Sequence, residues 1–289
     1  MSGSAPAAPG TLYVVSTPIG NMGDFSFRAV EILTSVSAIL AEDTRHTRHL
    51  LDRYAITCGM TSYHEHNEAR MTPLLVARLL AGESLALVSD AGTPLISDPG
   101  ARLVAAAVAS NVPVSPVPGA SALLAALVAS ALDAGRFTFY GFLSRTGSER
   151  RRVLGEISTL AHTAVVYESP NRLAETLGEL EALGGGGRSA VVARELTKQF
   201  ENLRRGTVTE LRAYYQNDPP RGEIVLVLGA AIRVAASDDV VRERVHALRA
   251  SGLSARDAST AVAEELGVAR RLAYRHAREW AEDHGDQET

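Results

Sequence analysis

The groups best suited to chemistry in this chain sit in a few short loops rather than along its helical stretches. The densest is Ser89-Asp90-Ala91-Gly92-Thr93-Pro94-Leu95-Ile96-Ser97-Asp98-Pro99-Gly100. It combines carboxylates and hydroxyls with glycines, which let backbone approach a bound molecule closely because no side chain intervenes. A second loop, Ser16-Thr17-Pro18-Ile19-Gly20-Asn21, has the same character. Glu42-Asp43-Thr44-Arg45 and His64-Glu65-His66-Asn67 add acids, a base and imidazoles that titrate near neutrality. Such groups could move a proton or hold a charged ligand.

These loops need elements to hold them, and the apolar pattern supplies a candidate frame. The dense loop follows the apolar run Leu85-Ala86-Leu87-Val88 and precedes a helical pattern from Ala101 to Ser110. The other glycine loop follows Thr11–Val15. Loops at the carboxyl ends of strands are where open α/β sheets place ligands. Short strands alternate with helical patterns at Phe25–Ser35, Ala38–Ala41, Thr44–Tyr54, Glu68–Ala81, Val112–Val114 and Ala120–Ser130. The alternation predicts a parallel sheet covered by helices.

A boundary is expected at Ser130–Arg136, dividing a first α/β domain (residues 11–131) from a second (residues 132–235). The second has strands at Phe137–Phe142, Ala164–Tyr167, Ala190–Arg194, Arg204–Val208 and Glu223–Leu228, and helices at Ser148–Leu160, Asn171–Leu183 and Val208–Gln216. Its later strands are spaced for antiparallel pairing, so its sheet should be mixed. From residue 236 the pattern is wholly helical. Ser254 with Asp257 resembles a capping box, and Ala258–Leu266, Gly267 and Arg270–Trp280 outline a helix-turn-helix. Met1–Gly10 reads as a disordered tail without the apolar core of a signal peptide.

Bulk properties narrow the field. The 289 residues carry a net charge of −4, so no global basic field draws the chain to nucleic acid. RNA contact would need local patches, and the basic residues are arginines except Lys198. A single cysteine, Cys58, excludes an intrachain disulfide and a cysteine metal cluster, and a cytoplasmic, non-membrane, metal-free protein is the simplest account.

Neither glycine loop is a Walker A or a dinucleotide fingerprint. A nucleoside ligand without a phosphate, such as S-adenosylmethionine, suits both absences. The loops also have a purely structural reading. Asp98-Pro99 could open a helix, with Asp as N-cap and Pro in the first turn, and Ser169-Pro170 and the region around Asp24 could do likewise.

One ordered series of motifs goes further. It comprises the Ser16–Asn21 loop, Glu42–Arg45, His64–Asn67, Ser89–Pro94 with Ser97–Gly100, Tyr167-Glu168-Ser169-Pro170 with Arg172, and Arg194-Glu195-Leu196-Thr197-Lys198. From about Thr11 to Gly229 the series resembles the small-subunit ribosomal RNA methyltransferases of the tetrapyrrole-methylase-like superfamily, which use S-adenosylmethionine. The resemblance implies two α/β domains with the cofactor in the cleft between them, a homodimer, and methylation of a cytidine ribose 2′-hydroxyl in the decoding region of 16S rRNA. The substrate would be free rRNA or the 30S subunit. It implies cofactor contacts at Pro18, Asp90, Gly92, Thr93, Pro94, Ser97, Asp98, Ser121, Ala122, Tyr167, Glu168, Glu223 and Ile224. At Val117-Pro118-Gly119-Ala120-Ser121-Ala122 the chain departs from the family, which usually has a second proline where Ala120 stands.

A 2′-hydroxyl is a poor nucleophile, so a base or cation beside it would help. Lys198, Glu42 and Glu168 are the leading candidates, with Asp43, His64 and His66 behind them; Lys198 needs a lowered pKa to act as base. Glu195 and Lys198 could instead be an ordinary helical surface pair. Arg45, Arg48, Arg172 and Arg194 are candidate phosphate contacts, and Arg150-Arg151-Arg152 could extend their path. Tyr63, Tyr167 and Phe200 are the candidate stacking rings. Two rivals stand beside this reading: a tetrapyrrole methylase accepting a carboxylate-rich macrocycle, and a DNA-binding regulator using Arg270, Arg271, Arg275 and Arg278.

Overall fold

The computed structural model describes residues 7–232 and 236–284. They fall into two compact units, residues 1–231 and 232–289. The first holds two α/β lobes.

The elements of the first lobe are β1 (Leu12–Val15), α1 (Phe27–Ser35), β2 (Ala38–Ala41), α2 (Thr44–Arg53), β3 (Met60–Ser62), α3 (Glu68–Leu80), β4 (Leu85–Val88), α4 (Ala101–Ala109), β5 (Val114–Val117) and α5 (Ala122–Ala129). Four-residue apolar runs form the three central strands β1, β2 and β4, which are buried on both faces as a helix-covered parallel sheet requires, while β3 and β5 at the edges are more polar and partly exposed. The sheet is parallel throughout, in the order β3-β2-β4-β1-β5. Because β4 lies beside β1, the two glycine loops leave the sheet side by side. Thr17 and Gly92 tie them together through paired backbone hydrogen bonds of 2.8 and 3.1 Å.

The second lobe comprises β6 (Phe137–Phe142), α6 (Gly147–Thr159), β7 (Thr163–Glu168), α7 (Leu173–Leu180), β8 (Ser189–Arg194), β9 (Asn202–Thr207), α8 (Val208–Asn217) and β10 (Ile224–Leu228). Its sheet runs β6-β7-β10-β8-β9 and is mixed, with only β6 and β7 parallel. One face packs on α6, α7 and α8 through Val166, Val192 and Leu226; the other packs on α5 through Val165, Val191 and Val227. A side-chain period of two along each strand produces this split. Register brings Glu168 of β7, Ile224 of β10 and Arg194 of β8 level with one another.

The second unit is a small three-helix assembly of α9 (Asp238–Ala250), α10 (Ala255–Leu266) and α11 (Arg270–His284). It has its own core of Val241, Val245, Val262, Ala273 and Ala277. Gly267, in the left-handed conformation, ends α10. No helix among the described residues is long and apolar enough to cross a membrane.

Several local expectations are corrected. Residues 7–10 are not a disordered tail: Ala8 donates to the Tyr13 hydroxyl, Gly10 to the Gly82 carbonyl, and Ala7 packs against the first lobe's core. Met1–Pro6 lies outside the described residues. Asp98 does not cap α4, whose N-cap is Gly100 at a φ of 129°. Ser169 does not cap α7, which starts after Arg172, and Asn21 and Ser26 make the caps expected around Asp24. The fifth strand is Val114–Val117, later than expected, and β3 was not foreseen. The segment Glu195–Lys198 is not helical, with Glu195 and Thr197 at φ 51° and 66°. At the start of α10 the expected cap is present, Ser254 Oγ accepting from the Asp257 N–H at 3.1 Å and donating to the Asp257 carboxylate at 2.8 Å, while a complete reciprocal capping box forms at Thr207 and Glu210.

Candidate active site

The loops after four strands of the first lobe (β1, β2, β4 and β5) and the facing edge of the second line a cavity of about 440 Å³. The first lobe contributes Ile19, Glu42, residues 90–93, Ile96, Ser97, Asp98, Ser121 and Ala122. The second contributes Phe142, residues 167–170, Ala193, Leu196 and residues 222–225. The volume lies within the range typical of small-molecule sites.

The dense loop bends sharply to form its wall. Gly92, Leu95, Ser97 and Gly100 all have positive φ, which is costly for Leu95 and Ser97. Threonines and serines hold it there. The Ser16 and Thr93 hydroxyls lie 3.0 Å apart, Thr93 Oγ1 donates to the Ala120 carbonyl, and Thr17 Oγ1 donates to the Ser89 carbonyl. Gly119 packs against Ser16, where a Cβ would come within 2.9 Å of its side chain. The Ala120 departure leaves this loop closed.

Three first-lobe carboxylates, Glu42, Asp90 and Asp98, share the cavity with Glu168 and Glu223 of the second lobe. Burial, reinforced by Glu42 and Asp90 and opposed by a Ser89 hydrogen bond, pushes the Asp98 pKa up to about 6. Burial and Asp90 also raise Glu42, with His64 pulling it the other way. Asp90 Oδ1 accepts from the Asp43 N–H at 3.1 Å. Asp43 itself is half-buried, and hydrogen bonds from Arg45 hold it at about 2, so it is unsuited to accept a proton. Across the cavity Tyr167 stands edge-on to Phe139 and Phe142, and its hydroxyl accepts from the Leu123 N–H.

The other sequence candidates scatter. Pro18 lines a smaller adjoining hollow with Thr47, His46 and Lys198, and Pro94 is buried away from the cavity. Lys198 bridges Glu195 and Glu223 at 3.0 Å each; these partners outweigh burial and raise its pKa, the wrong direction for a base. Both Glu168 carboxylate oxygens are engaged, accepting from the Ser169 N–H at 2.7 Å and Thr176 Oγ1 at 2.6 Å, so it anchors α7 rather than awaiting a proton. Arg172 donates to the Leu143 and Ser144 carbonyls, which removes it from the phosphate candidates. Arg150 is buried against Glu179, Thr176 and the Ser144 carbonyl. Tyr63 is fully buried and bonded to Thr72, so it cannot stack on a base. Arg45, Arg48 and Phe200 are exposed, while Arg194 reaches the Arg221 carbonyl at 3.3 Å. His64 and His66 stand edge-on outside the cavity.

Sequence reasoning missed Ile96, Phe142, Ala193 and Leu196. Apolar residues at strand ends carry no local sign of lining a site. The positive φ values at Leu95, Ser97, Glu195 and Thr197 likewise have no glycine to announce them.

The sequence profile of a family described as Tetrapyrrole (Corrin/Porphyrin) Methylases matches residues 11–212. A protein of Synechocystis sp. named Ribosomal RNA small subunit methyltransferase I is 47% identical over 268 residues, covering 92% of this chain and 96% of its own. The protein of that name in Pseudomonas aeruginosa is 42% identical, covering 93% and 96%. Among solved structures, a uroporphyrin-III C-methyltransferase from Thermus thermophilus complexed with S-adenosyl homocysteine aligns at a TM-score of 0.54 and 20% identity, covering 76% of this chain and 96% of that one. A diphthine synthase aligns at 0.59 and 14%, covering 76% and 89%. At such identities these structures speak for the fold alone.

Proposed function

Because the chain belongs to the tetrapyrrole methylase family, and within it to the small-subunit ribosomal RNA methyltransferases I, we propose that it methylates the 2′-hydroxyl of a cytidine in the decoding region of 16S rRNA, using S-adenosylmethionine. The observation that carries the reading is the interlobe cavity, with carboxylates on one wall and glycine-shaped backbone on two sides. S-adenosylmethionine is cationic and brings an electrophilic methyl carbon on its sulfonium. Its charge suits a pocket holding Glu42, Asp90 and Asp98, because opposite charges attract strongly where water is partly excluded.

On this reading the chain's work is mostly positioning. Gly92 and Thr93, with Ser97 and Asp98, hold one end of the cofactor. Tyr167 and the backbone of Glu168, Glu223 and Ile224 hold the other, and Ser121 and Ala122 line the floor. Asp90 keeps the Glu42–Asp43 turn in register. Glu42, with its raised pKa, is the carboxylate best placed to take a proton from the ribose hydroxyl. A tetrapyrrole substrate is disfavoured, since its carboxylates would face these acids and Arg172 is already committed to carbonyls.

A homodimer belongs to the same reading. Helix α5 is apolar all round, yet Leu124 and Val128 are 50% and 75% exposed. A second copy of the chain would cover them. The deciding experiment is transfer of tritiated methyl from the cofactor to 30S subunits and to free 16S rRNA, followed by mapping of the modified ribose. Label on a decoding-region cytidine is expected; label elsewhere or none overturns the substrate assignment.

A further inference from the structure

On the opposite face of the second sheet from the cofactor cavity, the chain forms another cavity, of about 710 Å³. The two adjoin along the same strand ends. Pro170, Ala193 and Gly222 line the first, and their chain neighbours Asn171, Arg194 and Arg221 line the second. Alternation along β8 explains the split at Ala193–Arg194. Arg204 on β9 lies opposite Val192, so it shares the face of Arg194.

Three guanidinium groups thus converge, from Arg194, Arg204 and Arg221. The one carboxylate in the cavity wall, Asp218, already accepts from the Tyr214 hydroxyl at 2.9 Å. Arg204 lies flat on the Tyr214 ring, 3.5 Å from its centroid, and its buried Nε has no hydrogen-bond partner. Arg194 makes a single 3.3 Å bond to a carbonyl, and Arg221 is exposed with no ion pair among the described residues. The lobe's structural arginines are treated differently. Arg150 is paired with Glu179, and Arg188 is bonded to the Gly229, Ile157 and His162 carbonyls. Arg204 also bonds the Tyr215 side chain, but none of the three is ion-paired to a carboxylate among the described residues, and converging guanidinium groups without such partners are a site for an anion with several acceptor oxygens.

Resting on the reading of RNA as substrate, the geometry points to this cavity as the seat of an RNA backbone phosphodiester flanking the target nucleotide. Arg194 and Arg221 would grip the phosphate, and the Arg204–Tyr214 stack would hold the third guanidinium rigid beside it. The strand would then cross the end of the sheet, with its phosphate on one face and its ribose entering the cofactor cavity on the other.

The test is binding of a fluorescent decoding-region oligoribonucleotide over a salt series, for the parent chain, Arg221→Gln, Arg194→Gln/Arg221→Gln, and Arg78→Gln as a charge control on α3. Each lost single-strand phosphate contact lowers the log–log salt slope by about 0.7. The double variant is expected to bind about tenfold or more weakly with a shallower slope, Arg221→Gln to fall between, and Arg78→Gln to match the parent. Unchanged calorimetric binding of S-adenosylmethionine shows that the variants are folded. Equal slopes for parent and double variant, or an equal loss in Arg78→Gln, overturn the site. Methyl transfer by the parent to 30S subunits is scored separately: a parent that binds RNA without transferring methyl overturns the functional reading and leaves the slope comparison decisive for the cavity.

Discussion

At the residue scale, the carboxylates are distinguished by surroundings rather than type. Asp43, bonded to Arg45, is held at about 2, while Asp98, desolvated and near Glu42, is raised to about 6. A raised acid favours its protonated form in the native state. The stability it contributes is therefore present at low pH and lost as pH rises from about 4, the unfolded value, through about 6. Asp98→Asn should consequently stabilise the protein by about 1 kcal/mol at pH 8, with no gain at pH 4, as read from urea midpoints. Binding of the cationic cofactor should run the other way, tightening as Asp98 ionises between about pH 5 and 7. Calorimetry on Asp98→Asn should show that rise flattened; a variant retaining the full pH dependence would place the charge elsewhere. Lys198 carries a contrasting lesson. Its partners Glu195 and Glu223 raise its pKa, which makes it a tie between two loops of the cavity rim.

At the element scale, the loops depend on backbone that side chains cannot supply. Gly92 sits at a φ of 84° while both its N–H and its C=O are bonded to Thr17, so the chain cannot relax around a substituent. Gly92→Val should cost about 2 kcal/mol of stability from left-handed strain in a β-branched residue. Its Cβ would also press on Ile19 at 3.3 Å, and cofactor affinity should drop more than tenfold. Unaltered calorimetric binding by folded Gly92→Val would remove the cofactor from this wall. Packing between α6 and α7 rests on a buried charge. Arg150 is 3% exposed in its side chain and Glu179 34%. Arg150→Ala should destabilise by about 3 kcal/mol, the lower end for a broken buried pair, since Glu179 keeps some contact with water. A urea midpoint indistinguishable from the parent would show that the pair contributes little.

At the scale of the whole molecule, each lobe is incomplete as a site. The first lobe brings the bent loops and the acids; the second brings Tyr167, Phe142 and the Gly222 turn. At Gly222, with a φ of 88°, a Cβ would come within 2.3 Å of Glu195, so the two chain segments rimming the second lobe's side must lie backbone to side chain. Assembly should extend beyond one chain. Val128→Glu, on the exposed side of α5, should shift the protein from dimer to monomer in light scattering while leaving cofactor binding within about twofold. A parent that is already monomeric, or a variant that remains dimeric, would show that α5 is not the contact.

Much of this architecture was legible in the chain. Four-residue apolar runs alternating with helical stretches fit a helix-covered parallel sheet, so the central strands of the first lobe followed from local pattern, while the polar edge strands β3 and β5 did not. The glycine loops after Val15 and Val88 were legible for the same reason: glycine spacing and strand ends are local facts. What the chain could not show was which side chains were already spoken for. Glu168, Arg172, Arg150 and Tyr63 looked available because their partners, Thr176, the Ser144 carbonyl, Glu179 and Thr72, lie on other elements. Strand order decided that the loops after β1 and β4 meet, and strand alternation that Ala193 and Arg194 face different cavities. Conformation and periodicity are set by neighbours in sequence; desolvation, pairing and charge are set by neighbours in space, and those exist only once the sheets have closed.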